Sequence, residues 1–197
     1  NVLFAFALSA GHREADRVVS IDLKKISIGQ LSGASSNKQL IRRIFHGTKY
    51  KVAYEPNMED YLLCHAAFVM PAAFACYKTD GDLKKLRGDT AYLNRLLDAN
   101  IEGYRAIRNA GHTILPKEDA DFEGEKYRKT CLRFFKLMCA TSLGKLCASD
   151  HAMNAIDEMS ALNRDLKKFS MSMVQPAQCG ICVLMKELGL YDLTPVL

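Results

Sequence analysis

The sequence predicts a mainly α-helical protein with a small β-rich segment at its N-terminus. The spacing of apolar residues changes near residue 57, from the alternation typical of strands to the three-to-four spacing of amphipathic helices. The chain has 197 residues, 49% hydrophobic and 25% charged, which is ordinary for a globular protein and sufficient for a core without disulfide or metal. We therefore expect a β-rich segment over residues 1–57 and a helical domain over residues 58–197.

The β-rich segment contains strand-like runs separated by one helical pattern. The runs are "NVLFAFAL", "RVVSIDL", "KISIGQL" and "KYKVAYE". The intervening "SSNKQLIRRIFHG" predicts a short helix with Ser35 or Ser36 as its N-cap and Gly47 just beyond its end. Its predicted apolar face consists of Leu40, Ile41, Ile44 and Phe45. Because the chain begins directly in a strand-like run, without a signal peptide, we expect a further domain to precede it.

The region after residue 57 is predicted to be helical throughout. "TAYLNRLLDANIEGYRAIRNAG" predicts a helix capped by Asp89 and stopped by Gly111, and "EKYRKTCLRFFKLMCATSLGKL" predicts the next. "DHAMNAIDEMSALNRDLKKF" predicts one continuous helix that starts at Ser149 or Asp150, with an apolar face of Met159, Leu162, Leu166 and Phe169. A last helix is predicted from Pro176, and turn-rich breaks fall at "KTDGD" and "AGHTILPKEDADFEG".

The run "YLLCHAAFVMPAAFACY" at residues 61–77 is apolar on every side. It is shorter than the roughly 20 residues that a bilayer requires and has charged flanks, so we expect no membrane span. An all-round apolar helix belongs at the centre of a bundle. Pro71 removes one backbone hydrogen bond and is expected to bend this helix. His65 is either a hydrogen-bonded core residue or part of a site.

Several function classes lack their motifs. The chain has no glycine-rich nucleotide fingerprint, no paired metal-binding Cys motif and no nucleophile elbow. The net charge is +5 and the basic residues are scattered, so no nucleic-acid surface is predicted. Seven cysteines, an odd number, fit a reducing cytoplasm. Cys179 and Cys182 form "CGIC", either a redox or half-zinc motif or part of an amphipathic helix, which leaves a free-standing redox protein as a weak alternative.

Five segments, in order, resemble the C-terminal half of the ketopantoate reductase (2-dehydropantoate 2-reductase) family of pantothenate biosynthesis. They are "GHREADRVVSI", "KISIGQLSG", "NMEDYLLCHAAFVMPAAFACY", "SDHAMNAIDEMSALNRDL" and "VQPAQCGICVL". The resemblance implies a helical domain like the C-terminal domain of 6-phosphogluconate dehydrogenase. It also implies an N-terminal Rossmann domain, absent here, that holds most of the NADP(H). The implied reaction is reduction of a 2-oxo acid to a 2-hydroxy acid, in a cytoplasmic protein that could form a homodimer through its helices.

The resemblance also implies site residues, with one departure from the family. When Tyr61 is aligned with the family's aromatic residue, Leu63 stands where the family has its proton-donating Lys, and the family's Asn residues are absent from "AAFVMP". His65 is the nearest protic group and is expected to be catalytic, together with Glu158. His151, seven residues before Glu158 and so expected on the same helix face, and Asn154 are expected to bind substrate.

These site residues leave alternatives open. Glu158 could equally be a surface carboxylate, and His151 a residue that stacks on the start of its helix. The loss of the Lys leaves a second hypothesis, a non-catalytic relative that acts as a binding or dimerisation module.

Overall fold

The computed structural model describes residues 2–31 and 38–171, with side chains through residue 166. Within these residues the protein is mainly helical, with a small three-stranded sheet at the N-terminus. The predicted fold class is confirmed at this level. The predicted helix from Pro176 and the Cys179–Cys182 motif lie outside the described residues.

The sheet contains strands β1 (Phe4–Arg13), β2 (Val18–Gly29) and β3 (Lys51–Glu55) in the order β1-β2-β3. β1 runs antiparallel to β2, whereas β3 runs parallel to β2 and is reached through helix α1 (Lys38–Ile44). The two strands predicted at "RVVSIDL" and "KISIGQL" are one continuous strand, so that prediction is wrong. The pairing register with β1 shifts at the junction, where Lys24 has a φ of 54° and its backbone N–H donates to Oδ1 of Asp22 (2.9 Å).

Helix α1 buries less of its predicted apolar face than expected. Ile41 is buried, but Leu40 and Ile44 are 46% and 62% exposed among the described residues. Gly47 follows the helix with a φ of 75°, as its predicted place beyond the helix end requires. The predicted caps, Ser35 and Ser36, lie outside the described residues.

The bundle is built around helix α2 (Met58–Lys78), with α3 (Thr90–Asn109) and α4 (Glu125–Ala140) beside it. Short 3-10 turns at Leu83–Leu86 and Lys117–Asp119 lie in the connections. Oδ1 of Asn57 caps α2 by accepting from the N–H of Asp60, and Asp89 caps α3, as predicted, by accepting from Tyr92. By length and composition α2 could cross a membrane, but 61% of its apolar window is buried inside the protein.

Pro71 of α2 is accommodated by a side chain from α3. Because proline has no N–H, the carbonyl of Ala67 loses its partner one turn later in the helix. Nδ2 of the fully buried Asn100 lies 3.4 Å from that carbonyl oxygen and donates to it. Oδ1 of Asn100 accepts from the hydroxyl of Tyr127 on α4 at 2.7 Å. Three helices are therefore joined by hydrogen bonds at the level of the proline.

The prediction of one continuous helix from residue 150 is wrong. The chain forms α5 (Ser142–Gly144), a π-helical turn (Lys145–Ser149), α6 (Asp150–Asn154) and, after a break, α7 (Ile156–Met171). The break is at Ala155, with φ −122° and ψ 42°. Just before it, the side-chain amide of Asn154 donates to the carbonyl of Asp150 and competes with the backbone there.

This break removes the basis for placing His151 and Glu158 on one helix face, because the two residues belong to different helices. The predicted apolar face of α7 is confirmed at Met159 and Leu166, which are buried, and at Leu162, which packs against the core. The side chain of Phe169 lies outside the described part.

The sheet contacts the bundle through β1. The ring of Phe6 lies 4.4 Å from that of His65 and 6.1 Å from that of Tyr61, centroid to centroid. Nδ1 of His12 lies 2.7 Å from Oδ2 of Asp150, although the angles do not suit a hydrogen bond. The start of α2 and the start of α6 are thus both covered by the first strand.

Candidate functional site

A cavity of about 250 Å³ lies between α2, α3, α4 and the segment that connects α3 to α4. A cavity of about 150 Å³ holds a benzene molecule, so this one has room for a small metabolite. Its lining is partly aromatic and partly polar: Tyr61, His65, Phe68, Tyr104, Leu115, Pro116, Asp119, Thr130, Cys131 and Phe134.

One wall is held in place by the beginning of α2. The buried carboxylate of Asp60 accepts from the backbone N–H of Thr113 (2.8 Å) and contacts Nδ1 of His112 (2.7 Å). Two residues later, the N–H of Leu115 donates to Sγ of Cys64 (3.4 Å). These contacts fix the connecting segment against α2, and so they position Leu115 and Pro116 at the cavity.

His65 supplies the imidazole of the cavity. Burial, with a smaller contribution from the nearby His151, lowers its pKa from the ordinary 6.5 to about 4. At neutral pH the ring is therefore uncharged. It can donate one hydrogen bond and accept another, but it is not a ready proton donor.

Asp119 supplies the carboxyl group of the cavity. Its Oδ2 accepts from the hydroxyl of Tyr104 at 3.0 Å. Burial raises the pKa of Asp119, and the neighbouring Glu118 raises it further, whereas the bond from Tyr104 acts in the opposite direction. Burial also raises the pKa of Tyr104, so the phenol stays protonated and remains a donor.

Aromatic rings form much of the remaining wall. Phe68 stacks on Phe135 of α4 at 5.6 Å between ring centroids, and it also contacts Phe134 at 5.9 Å. Phe134 is 39% exposed, which places it at the rim of the cavity. Burial raises the pKa of Cys131, so its thiol is neutral and unreactive at physiological pH.

The structure brings together only some of the predicted site residues. His65 lines the cavity, and His151 is near enough to influence its pKa. Glu158 and Asn154 are exposed and do not line the cavity. Leu63, which the resemblance aligns with a catalytic Lys, packs against the core.

Asp119 and Tyr104 were not predicted as site residues. Tyr104 carries the helical spacing of a core residue, and Asp119 lies in a turn-rich acidic stretch, where carboxylates are usually solvated. The available signal was the segment "LPKED" between two predicted helices, which places a carboxylate close after an apolar residue and a proline.

No group of three or more His, Cys, Asp or Glu side chains suited to a metal ion occurs within residues 2–31 and 38–171. No protein-family model, curated protein or solved structure shows a significant match to the chain.

Proposed function

We propose that the chain is the substrate-binding part of an NADP-dependent reductase that converts a 2-oxo acid to a 2-hydroxy acid. One observation carries the proposal. His65, on the helix that the ketopantoate reductase resemblance makes catalytic, lines a cavity of about 250 Å³ that suits a small metabolite. The cavity at His65 is then the substrate site.

The topology supports the same proposal. An antiparallel strand pair followed by a parallel β-α-β connection can extend the sheet of a preceding Rossmann domain, and the helices after residue 57 would correspond to the domain like that of 6-phosphogluconate dehydrogenase. The described residues contain no glycine-rich phosphate loop, so NADP(H) is assigned mainly to the Rossmann domain. The proposal includes a cytoplasmic location and a homodimer formed through the helices.

The chemistry that this chain contributes concerns the proton and the substrate carboxylate. When bound, reduced NADP supplies the hydride for the substrate ketone. A substrate carboxylate beside His65 offsets the desolvation of its imidazole and raises its pKa. His65 can then be protonated in the complex and donate its proton to the new alkoxide. His65 must therefore acquire its proton with the substrate, since burial in the protein holds it neutral.

The direct test is turnover by a protein that contains this chain and any coding sequence upstream of Asn1. NADPH oxidation is measured with a panel of 2-oxo acids, ketopantoate included. The His65→Gln variant is expected to lose at least about 100-fold in kcat, the usual contribution of a general acid. His46→Gln, which removes an exposed imidazole just beyond the end of α1, is the matched control. Failure of every 2-oxo acid to turn over while NADPH still binds contradicts the proposal.

The predicted roles of Glu158, His151 and Asn154 have separate tests in the same assay. If Glu158 is catalytic, Glu158→Gln lowers kcat; if His151 and Asn154 bind substrate, His151→Gln and Asn154→Ala raise KM. Unchanged kinetics in all three variants would confine the site to the cavity.

A second candidate function is a binding module that has lost catalysis. It is favoured by Leu63, which cannot donate a proton, and by the uncharged state of His65. In that case a 2-oxo acid binds without NADPH oxidation, and Leu63→Lys is the variant that should create activity. Full wild-type turnover that disappears in His65→Ala rules this candidate out.

A further inference from the structure

The cavity lining is acidic rather than basic. Asp119 is the one carboxylate among the ten lining residues, and none of the ten is Lys or Arg. Burial lowers the pKa of His65 to about 4, so its imidazole is uncharged at neutral pH. The adjacent exposed Glu118 adds further negative potential near Asp119. Away from His65, this lining favours a cationic ligand group over an anionic one.

The lining is also rich in aromatic rings. Tyr61, Phe68, Tyr104 and Phe134 all carry six-membered aromatic rings at the cavity. The negative faces of such rings attract a cation within about 6 Å, and the attraction strengthens where water is excluded. A carboxylate combined with several aromatic faces is a chemistry that recognises organic ammonium ions.

Asp119 has capacity for another donor. Its Oδ2 receives the hydroxyl of Tyr104, and Oδ1 has no hydrogen-bond partner among the described residues. Burial disfavours the charged form of this carboxyl group and raises its pKa. A bound cation removes that penalty by pairing with the carboxylate, so ligand and side chain stabilise each other's charge.

We propose that this cavity binds a small organic ammonium ion, whose cationic group pairs with Asp119 and is surrounded by the aromatic rings. The volume of about 250 Å³ suits a ligand of about 7–10 non-hydrogen atoms, since a cavity of about 150 Å³ holds benzene. If the ligand is the substrate, which rests on the proposed function, it is a 2-oxo acid with an ammonium group at the end remote from its carboxylate. The carboxylate then lies at His65 and the ammonium at Asp119.

The test uses three molecules of nearly the same shape and different charge. Isothermal titration calorimetry on the purified chain compares choline with its neutral isostere 3,3-dimethyl-1-butanol and with the anionic 3,3-dimethylbutanoate. Choline is expected to bind at least about tenfold more tightly than the neutral alcohol, and the anion is expected to bind weakest.

Two variants assign the preference to Asp119. Asp119→Asn keeps the shape and can still accept from Tyr104, and it should reduce the preference for choline to less than about twofold. Glu59→Gln removes the same charge from an exposed residue of α2 that does not line the cavity and should keep the preference. Circular dichroism checks that both variants fold.

The inference is overturned if none of the three molecules binds, if the anion binds most tightly, or if folded Asp119→Asn keeps the full preference for choline. These outcomes are independent of turnover, because the titration needs neither NADPH nor a reducible ketone. Loss of turnover with retained choline preference would refute the proposed reductase alone.

Discussion

Burial moves the pKa values of His65 and Asp119 in opposite directions, although both side chains line one cavity. The reason is the same for both: a low-dielectric surrounding disfavours whichever form is charged. For the imidazole this is the protonated form, so its pKa falls to about 4; for the carboxyl it is the ionised form, so its pKa rises. The low-dielectric lining therefore disfavours charge on both side chains, and a ligand group of opposite charge would offset that penalty.

The lowered pKa of His65 makes the stability of the protein depend on pH. The unfolded chain takes up a proton on this residue near pH 6.5, whereas the folded chain does so only near pH 4. Between these values the unfolded state binds more protons, so the free energy of unfolding falls as the pH falls from 6.5 towards 4. Between pH 7 and pH 5 the free energy of unfolding of the wild type should fall by about 2 kcal/mol more than that of His65→Gln.

Urea denaturation at both pH values measures this difference. His46→Gln serves as the control, because its imidazole is exposed and it should behave like the wild type. Equal pH dependence in the wild type and His65→Gln would show that His65 is not held neutral by the fold.

At the scale of elements, the bundle centre depends on a proline and an asparagine that compensate each other. Pro71 deprives the carbonyl of Ala67 of its helical partner, and Asn100 donates to that carbonyl while accepting from Tyr127. Since all three helices are hydrogen-bonded through this buried amide, it fixes the positions of α3 and α4 along α2.

A double-mutant cycle tests this compensation. Asn100→Ala leaves buried polar groups unpaired and should lower the free energy of unfolding by about 2–4 kcal/mol. In the Pro71→Ala background the restored N–H of residue 71 can bond to Ala67, so the same change should cost less, with a coupling of about 1 kcal/mol or more. Asn94→Ala, which removes only a bond to Thr90 within α3, is the control and should cost about 1 kcal/mol or less. Strict additivity of the Pro71 and Asn100 changes would contradict the compensation.

At the scale of the whole molecule, the sheet influences the chemistry of the bundle. The ring of Phe6 on β1 covers that of His65 at 4.4 Å and so contributes to its desolvation. The same strand reaches the start of α6 through the contact between His12 and Asp150. The sheet is therefore part of the environment that sets the protonation of the candidate site.

Removal of this cover should raise the pKa of His65. In Phe6→Ala, water reaches the imidazole, and its pKa should move from about 4 towards the ordinary 6.5. NMR titration of the histidine ring protons measures the shift. Phe4→Ala removes a more exposed ring of the same strand and should leave the titration of His65 unchanged. An unaltered pKa in Phe6→Ala would assign the desolvation to the helices alone.

The sequence predicted those features that depend on neighbours along the chain. The change of period near residue 57, the cap at Asp89 and the turn at Gly47 are local, and the structure has all three. The break at Ala155 and the joining of two strands at Lys24 depend on side-chain bonds to nearby backbone, which hydrophobic periodicity does not detect. The cavity depends on contacts between distant segments, such as Tyr104 with Asp119 and Asp60 with Thr113, so its composition could not be read from spacing.

The position of Phe134, whose ring is partly exposed, suits the introduction of a fluorescent probe. The chain contains no tryptophan, so a single indole introduced there would fluoresce without background from other tryptophans. Phe134→Trp would place this fluorophore at the rim of the cavity, where a change of occupancy alters the polarity around it. Entry and departure of a ligand could then be followed in real time by stopped-flow emission, which gives rates in addition to equilibrium affinities.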